Sequence, residues 1–242
     1  MSQLGVASRR QAETWISEGR VKINGNLVTE MGFMVDVETD VLLVDDKPVT
    51  AKKPPNVYWM LNKPDLCLSS HHGDGGKSTI YDLPSLASIP FKVNSVGRLD
   101  YRTEGLLLLS NDGEFIHKMT HPSSKVPRSY YALVHSKLES DQLRKIQKGM
   151  TLDDGQVEPI NIQYAQGMNL GKSTGAWYYL TVHEGRNRLV RRIFDSFDKK
   201  VVKLVRCGFG NLRLPDNLKP GEYRQLEPSE LAELRKGANK ND

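Results

Sequence analysis

The chain has only two cysteines, Cys67 and Cys207, in 242 residues. That is too few for a disulfide framework or a thiolate metal site, so both thiols are expected to be reduced and at least partly buried. Long apolar runs are missing as well. The four leucines at 106–109 are among the longest, far short of the roughly 20 residues a membrane helix needs. The opening MSQLGVASRR lacks the apolar core of a secretory signal. Neither sign of charge dominates, since 34 Lys and Arg stand against 29 Asp and Glu for a net +5. These absences argue against a membrane protein and a disulfide-stapled secreted one. What remains is an ordinary soluble composition, 38% hydrophobic and 26% charged, read as that of a cytoplasmic protein. The length suffices for one medium domain and a small one, with a core that needs no covalent staples.

The charge is unevenly placed. Between His183 and Arg206 there are eight basic residues (Arg186, Arg188, Arg191, Arg192, Lys199, Lys200, Lys203, Arg206) and three acids (Glu184, Asp195, Asp198). Eight minus three is the whole excess of the chain, so the remainder is balanced. A basic segment in a balanced chain is the footprint of a phosphate-binding face, and the plain alternative is a solvated helix face.

The stretch NSVGRLDYRTEGLLLLSNDGEF, residues 94–115, organises the rest. Residues 93–96 read as a short extended run and 106–110 as a fully buried strand. Asn111, Asp112 and Gly113 read as a turn of residues that tolerate positive φ. Between the strands, a loop fenced by Gly97 and Gly105 carries Arg98, Asp100, Arg102 and Glu104. Rigid strands on both sides of a loop can hold a carboxylate in fixed geometry, and Asp100 is the one so placed. The bland reading is a solvated connection. Two other motifs fail. GDGGKST at 73–79 looks like a phosphate loop but has His71 where the first glycine belongs. His71 and His72 have no third ligand at a useful spacing, so no metal is expected.

Residues 1–50 form a first unit. Ser8 is placed to cap a helix over 9–18, with Trp15 and Ile16 on its apolar side and Gly19 ending it. Val21 to Ile23, the Asn24-Gly25 pair and Leu27-Val28 read as a hairpin with a type I′ turn, followed by an alternating stretch at 35–44. Residues 51–57 make a linker around Pro54-Pro55. A second domain is expected over 58–228 and a polar tail over 229–242. In that domain short helices are expected at 114–119 and 138–149, and a strand at 177–182. A further helix from about Asn187 has Val190, Ile193, Phe194 and Phe197 on one face and Arg188, Arg191 and Arg192 toward the other edge. Tyr130 and Tyr131, in a strand, point to opposite faces. The glycine-rich GMNLGKSTGA reads as a flexible hairpin loop.

The pattern G-R-L-D-x-x-T-x-G-L-L-L-L-x-N-D-G resembles the central motif of the RNA pseudouridine synthases, in the wording of the RsuA/RluB/RluE/RluF family. TIYDLP, the Arg128-x-Tyr130 pair, HEGRNRLVRR, VVKLVRCGFG and PGEYRQL are similar to further elements of that family in the same order. PGEYRQL and HEGRNRLVRR look closest to the RluB-like branch. The segment GVASRRQAETWISEGRVKINGNLV resembles the alpha-L (S4-like) RNA-binding module, here N-terminally short, with only five residues before Val6.

The resemblance implies an α+β protein: a small S4-like domain plus a catalytic domain with a mixed, mainly antiparallel sheet. It implies that Asp100 is the nucleophile, that Tyr130 stacks on the target base and that Arg191 is the salt-bridge partner of Asp100. Arg98 would help hold the extruded nucleotide and Leu204 would wall the pocket. Arg188 and Arg192 belong to the basic face, and Arg9, Arg10, Arg20 and Lys22 match RNA-holding positions of the S4-like module.

The implied reaction isomerises one uridine, or very few, in ribosomal RNA, with 23S favoured over 16S and a pre-ribosomal particle as a further partner. It needs no redox change and no energy input, so no cofactor or metal is required. A carboxylate serves as nucleophile or electrostatic stabiliser, and attack at C6 of the base or C1′ of the ribose stays open. The target must leave its stack, at a cost of roughly a few kcal/mol. The chain is taken as a monomer without a membrane partner. The rivals are a non-catalytic RNA-binding or ribosome-assembly protein and a carboxylate-dependent hydrolase. The latter needs a second acid, for which Glu104 and Asp112 are the nearest in sequence.

Overall fold

The computed structural model describes residues 1–2, 4–36, 39–50, 54–87, 89–166 and 175–238. The chain divides into two compact units, 1–56 with 90–92, and the remainder.

In the first unit, α1 (Arg9–Ser17) starts where the Ser8 hydroxyl accepts the Gln11 N–H. Strands β1 (Val21–Ile23) and β2 (Asn26–Leu27) meet across Asn24-Gly25, whose φ values of 51° and 82° are those of a type I′ turn. Of the expected strand over 35–44, residues 37–38 lie outside the described residues, and among the described ones the strand is β3 (Leu42–Val44), which pairs with β1. Ahead of it, the Asp40 N–H bonds back to the Asp36 carbonyl, which turns the chain. A second tight turn at Asp45-Asp46, with φ of 50° and 60°, leads into β4 (Lys47–Pro48). Asp-Asp carries no Gly, and so gave no clear hairpin signal. Val21, Ile23, Val28 and Leu42 form the small core of this unit.

The second unit is built on one sheet. In chain order it contains β5 (Tyr58–Lys63), the short helix α2 (Pro84–Ala87), β6 (Asn94–Ser95), β7 (Thr103–Ser110), α3 (Gly113–Thr120) and β8 (Arg128–Val134). These are followed by α4 (Ser140–Lys148), the hairpin β9 (Met150–Leu152) and β10 (Gly155–Val157), β11 (Asn161–Tyr164) and β12 (Ala176–Val182). The chain continues through α5 (Leu189–Asp195), β13 (Val201–Phe209), β14 (Leu212–Arg213), β15 (Tyr223–Gln225) and α6 (Pro228–Ala238). The sheet runs β11-β12-β8-β13-β7-β5-β15, with β14 on β13 and β6 on β7. Among the described strands of this sheet, the β13–β7 pairing is parallel and the others are antiparallel. The sheet is therefore mixed and mainly antiparallel, as expected, and the chain is α+β.

β7 is central, and its four leucines are at most 1% exposed. One face is covered by Phe115 and Met119 of α3 and Leu234 of α6, which join Met60, Leu106 and Leu108 in one core. Burial of both faces is why the strand reads as a continuous apolar run rather than an alternation, and each such leucine contributes about 1.5–3 kcal/mol. Helix α5 packs against β13 and brings Phe194 to 5.7 Å from Tyr178 of β12, ring centroid to ring centroid.

Two local expectations are corrected. Asn111-Asp112-Gly113 is not a positive-φ turn: Asp112 has φ −82° and its carboxylate accepts the Glu114 and Phe115 N–H groups as the cap of α3. Residues 229–238, expected within a polar tail, belong to α6, because Leu234 finds an apolar seat in the core. The glycine-rich segment at 167–174 lies outside the described residues.

Gly105 stands opposite Arg206 in the parallel pair with φ +101°. A Cβ there would sit 2.3 Å from the Arg206 carbonyl oxygen, in a backbone conformation that L side chains rarely adopt. Gly105→Ala is expected to destabilise the protein by about 3 kcal/mol or more, through strain and a forced shift of β13. Urea unfolding followed by tryptophan fluorescence measures it; a loss within experimental error would refute the close approach.

Candidate active site

The loop between β6 and β7, residues 97–102, is shorter than the spacing of its glycines suggests, because Thr103 and Glu104 already pair with β13. Its backbone is held at every carbonyl from Leu99 to Thr103. The buried Ser69 hydroxyl donates to the Leu99 carbonyl at 3.1 Å and accepts the Leu99 N–H at 3.2 Å. The Thr103 N–H closes on the Asp100 carbonyl at 3.0 Å, and the Cys67 N–H on that of Tyr101 at 3.2 Å. Arg191 Nη2 donates to the Arg102 carbonyl at 2.8 Å. Lys63, fully buried at the end of β5, donates to the carbonyls of Thr103 and Pro64, both at 2.9 Å, and reaches that of Tyr101 at 3.5 Å. Each buried carbonyl left without a donor would cost about 1–3 kcal/mol, so the loop has one low-energy arrangement. Asp100 projects from its middle, with a side chain 31% exposed.

Asp100 opens on a cleft of about 520 Å³. Tyr130 from β8, Leu204 and Arg206 from β13, Arg98 from the loop and Arg188 from the start of α5 line the same space. Tyr130 is 9% exposed, while Tyr131 turns to the opposite face and meets Tyr179 at 5.3 Å, the alternation expected of the strand. Beneath Tyr130, the guanidinium carbons of Arg206 and Arg128 lie 5.3 and 5.5 Å from the Phe209 ring centroid. Burial pushes both guanidinium groups below the ordinary arginine range, and nearby Tyr130 partly offsets this. Arg206 Nε donates to the Leu106 carbonyl at 2.7 Å, so this buried cation ties β13 to β7.

The ion-pair partner of Asp100 is Arg188, at 4.0 Å, rather than the expected Arg191. Arg191 is 7% exposed and turned inward, donating to the Val201 and Arg102 carbonyls. Burial lowers its pKa, Arg188 repels it, and Asp100 counters both. It holds the backbone of the loop that carries Asp100, and its charge and that of Asp100 attract. Arg192, expected on an RNA-facing edge, instead holds Asp153 and Asp154. In the first unit Arg9 and Arg10 are exposed, whereas Arg20 pairs with Asp45 and Glu18, and Lys22 with Asp46. Neither Glu104, paired with Lys203 at 3.1 Å, nor Asp112, the α3 cap bonded to the Tyr58 hydroxyl at 2.6 Å, lines the cleft as a second acid.

Sequence reasoning missed Lys63, Ser69 and Arg206. For Lys63 a signal was available: a lysine closing the apolar strand YWMLNK is out of place unless it has buried acceptors.

Residues 57–196 match the RNA pseudouridylate synthase family, and residues 1–41 match the S4 domain. The chain belongs to the RNA pseudouridylate synthase family. It is 43% identical to an RNA pseudouridine synthase of Aquifex aeolicus, over 97% of this chain and 91% of that one. It is 39% identical to the ribosomal large subunit pseudouridine synthase B of Bacillus subtilis, over 97% and 93%. Among solved structures, a crystal structure of a pseudouridylate synthase superposes with a TM-score of 0.66 at 31% identity, covering 96% of this chain and 95% of that one. The protein is an RNA pseudouridine synthase, and among its described residues no helix is long and apolar enough to cross a membrane.

Burial pulls the Lys63 ammonium down from 10.5 to about 8. Between these values the unfolded chain holds a proton that the folded enzyme lacks, so this group makes folding more favourable as pH rises through that window. Activity is expected to move the other way, because a neutral amine has two N–H donors for three carbonyls. The synthase should slow as pH rises through about 8. Lys63→Met should be roughly tenfold slower and lack that fall. Single-turnover rates against pH on one RNA test both; an unchanged profile in Lys63→Met would rule out this role for the amine.

Proposed function

We propose that this synthase converts one uridine, or very few, in large-subunit (23S) ribosomal RNA to pseudouridine, with Asp100 as the reacting carboxylate. The observation that carries the reading is Asp100 itself, on a loop whose carbonyls from Leu99 to Thr103 are held, facing a cleft shared with Tyr130, Leu204 and a cationic rim. The ribosomal target is supported by relatives named large subunit pseudouridine synthase B, in Bacillus subtilis and Pseudomonas aeruginosa.

In this reading the uridine leaves its stack and enters the cleft. Tyr130 supplies an aromatic face for the base, Leu204 an apolar wall, and Arg98 a cation beside the extruded nucleotide. Arg188 sets a positive charge beside Asp100, and Arg191 holds its loop. Asp100 attacks either C6 of the base or C1′ of the ribose. That bond breaks again before the product leaves, by elimination from C6 in the first case and by displacement as C5 bonds to C1′ in the second. The C1′–N1 bond breaks, the ring turns, C1′ bonds to C5, and the C5 proton is lost as N1 gains one, so nothing is consumed. Arg9, Arg10, Arg20 and Lys22 of the S4 unit would contact RNA phosphates, the first two directly and the others by exchanging their carboxylate partners. The enzyme would act in the cytoplasm, as a monomer, on free RNA or a pre-ribosomal particle.

Protein-free 23S and 16S transcripts incubated with the enzyme, and mapped by carbodiimide-dependent primer-extension stops, test this reading. One new stop in 23S RNA is expected. Asp100→Asn should lose at least about a thousandfold in rate while binding the same RNA. A stop confined to 16S would overturn the substrate, and activity surviving in Asp100→Asn would overturn the carboxylate.

A further inference from the structure

Four arginines crowd the segment HEGRNRLVRR, and like charges so close repel one another unless something holds them apart. The hairpin β9–β10 does this. Its connecting residues are Asp153 and Asp154. The Asp154 carboxylate accepts Arg192 Nη1 at 2.7 Å and Arg186 Nη1 at 2.8 Å, and its Oδ1 lies 2.6 Å from Arg192 Nη2 as an ion pair. Asp153 accepts Arg192 Nη2 as well. Arg186 also donates to the Gln156 carbonyl at 3.0 Å and to Glu184 at 3.2 Å. Arg192 thus holds both aspartates, and its Nη1 also reaches the Asn187 carbonyl at 3.4 Å.

Arg188 lies between these two anchored arginines. Its backbone is left-handed, with φ 49° and ψ 29°, a conformation that is costly for a non-glycine residue and persists only where its surroundings impose it. Its carbonyl accepts the Arg192 N–H at 3.0 Å, and its guanidinium is the one that faces Asp100. The charges therefore sort in space: Arg186 and Arg192 go to the hairpin, Arg191 to backbone carbonyls, and Arg188 to the cleft.

We propose that Asp153 and Asp154 are positioning residues for the synthase reaction, fixing Arg188 against Asp100 through Arg186 and Arg192. The proposal rests on the reading of Asp100 as the reacting carboxylate. A different role, mere counter-charge on an RNA-binding face, makes the opposite prediction. Removing counter-charge strengthens RNA binding and leaves the chemical step unchanged or faster.

The test compares Asp154→Asn and Asp153→Asn/Asp154→Asn with the parent enzyme in the full chain. Single-turnover rate at saturating RNA, RNA affinity across a salt series and thermal unfolding are measured together. The expected result is a rate about ten- to a hundredfold lower with affinity equal or tighter, and a rate only partly restored in Asp154→Glu. An unchanged rate with tighter binding would overturn the proposal. Asp153→Asn alone, which removes only an Arg192 contact, serves if the double variant is poorly folded; it too should lower the rate without weakening RNA binding. An Arg188→Gln background completes the cycle: there the hairpin substitution should add little, whereas fully additive losses would mean that the acids do not act through Arg188. Asp100→Asn separates the two readings. If it stays active, the assignment of Asp100 falls; if it is inactive while Asp154→Asn keeps its rate, only the positioning proposal falls.

Discussion

Five consecutive carbonyl groups, from Leu99 to Thr103, each accept a hydrogen bond, and the donors come from four different parts of the catalytic unit. Ser69 and Cys67 reach the loop from the segment after β5, Lys63 from the end of that strand, Arg191 from α5, and Thr103 from the loop itself. Such a loop cannot shift without breaking several bonds at once, and those of Leu99 and Thr103 are buried. The sheet order serves this purpose. By setting β7 between β13 and β5, it brings the three outside donor regions to one end of the same strand.

Charge is sorted by the same logic. Cations that hold the framework are buried and spend their donors on carbonyls: Lys63, Arg191 and Arg206. A carbonyl accepts without bringing a compensating charge, so these cations carry a desolvation cost, visible in the lowered pKa of all three. Half-exposed cations are paired instead with acids. Arg188 faces Asp100, and Arg186 and Arg192 face the β9–β10 hairpin. The basic excess at 183–206 is thus a set of placed charges rather than a uniform patch.

The S4 unit shows the same economy at smaller scale. Its core is four buried aliphatic residues, and its arginine and lysine on the hairpin side are tied to acids of the following turn, while Arg9 and Arg10 at the helix start stay exposed. Two tight turns with positive φ set the register of its strands, one announced by Asn-Gly and the other hidden in Asp-Asp.

What could be read from the sequence alone was local or carried by a motif. The Ser8 cap, the Asn24-Gly25 turn, the buried leucine strand, the opposed Tyr130 and Tyr131 and the prominence of Asp100 all depend on neighbours within a few residues, and the ordered family elements added the architecture. Tertiary structure decided the partnerships. That Asp100 faces Arg188 while Arg191 turns to carbonyls depends on how α5 enters above β13, and helix periodicity alone cannot choose between two arginines three positions apart. That Lys63 belongs to the site depends on β5 lying antiparallel to β7, which brings residues 40 apart in the chain to 2.9 Å. A hydrogen bond reports on distance in space, and a sequence specifies that distance only after the whole sheet has folded.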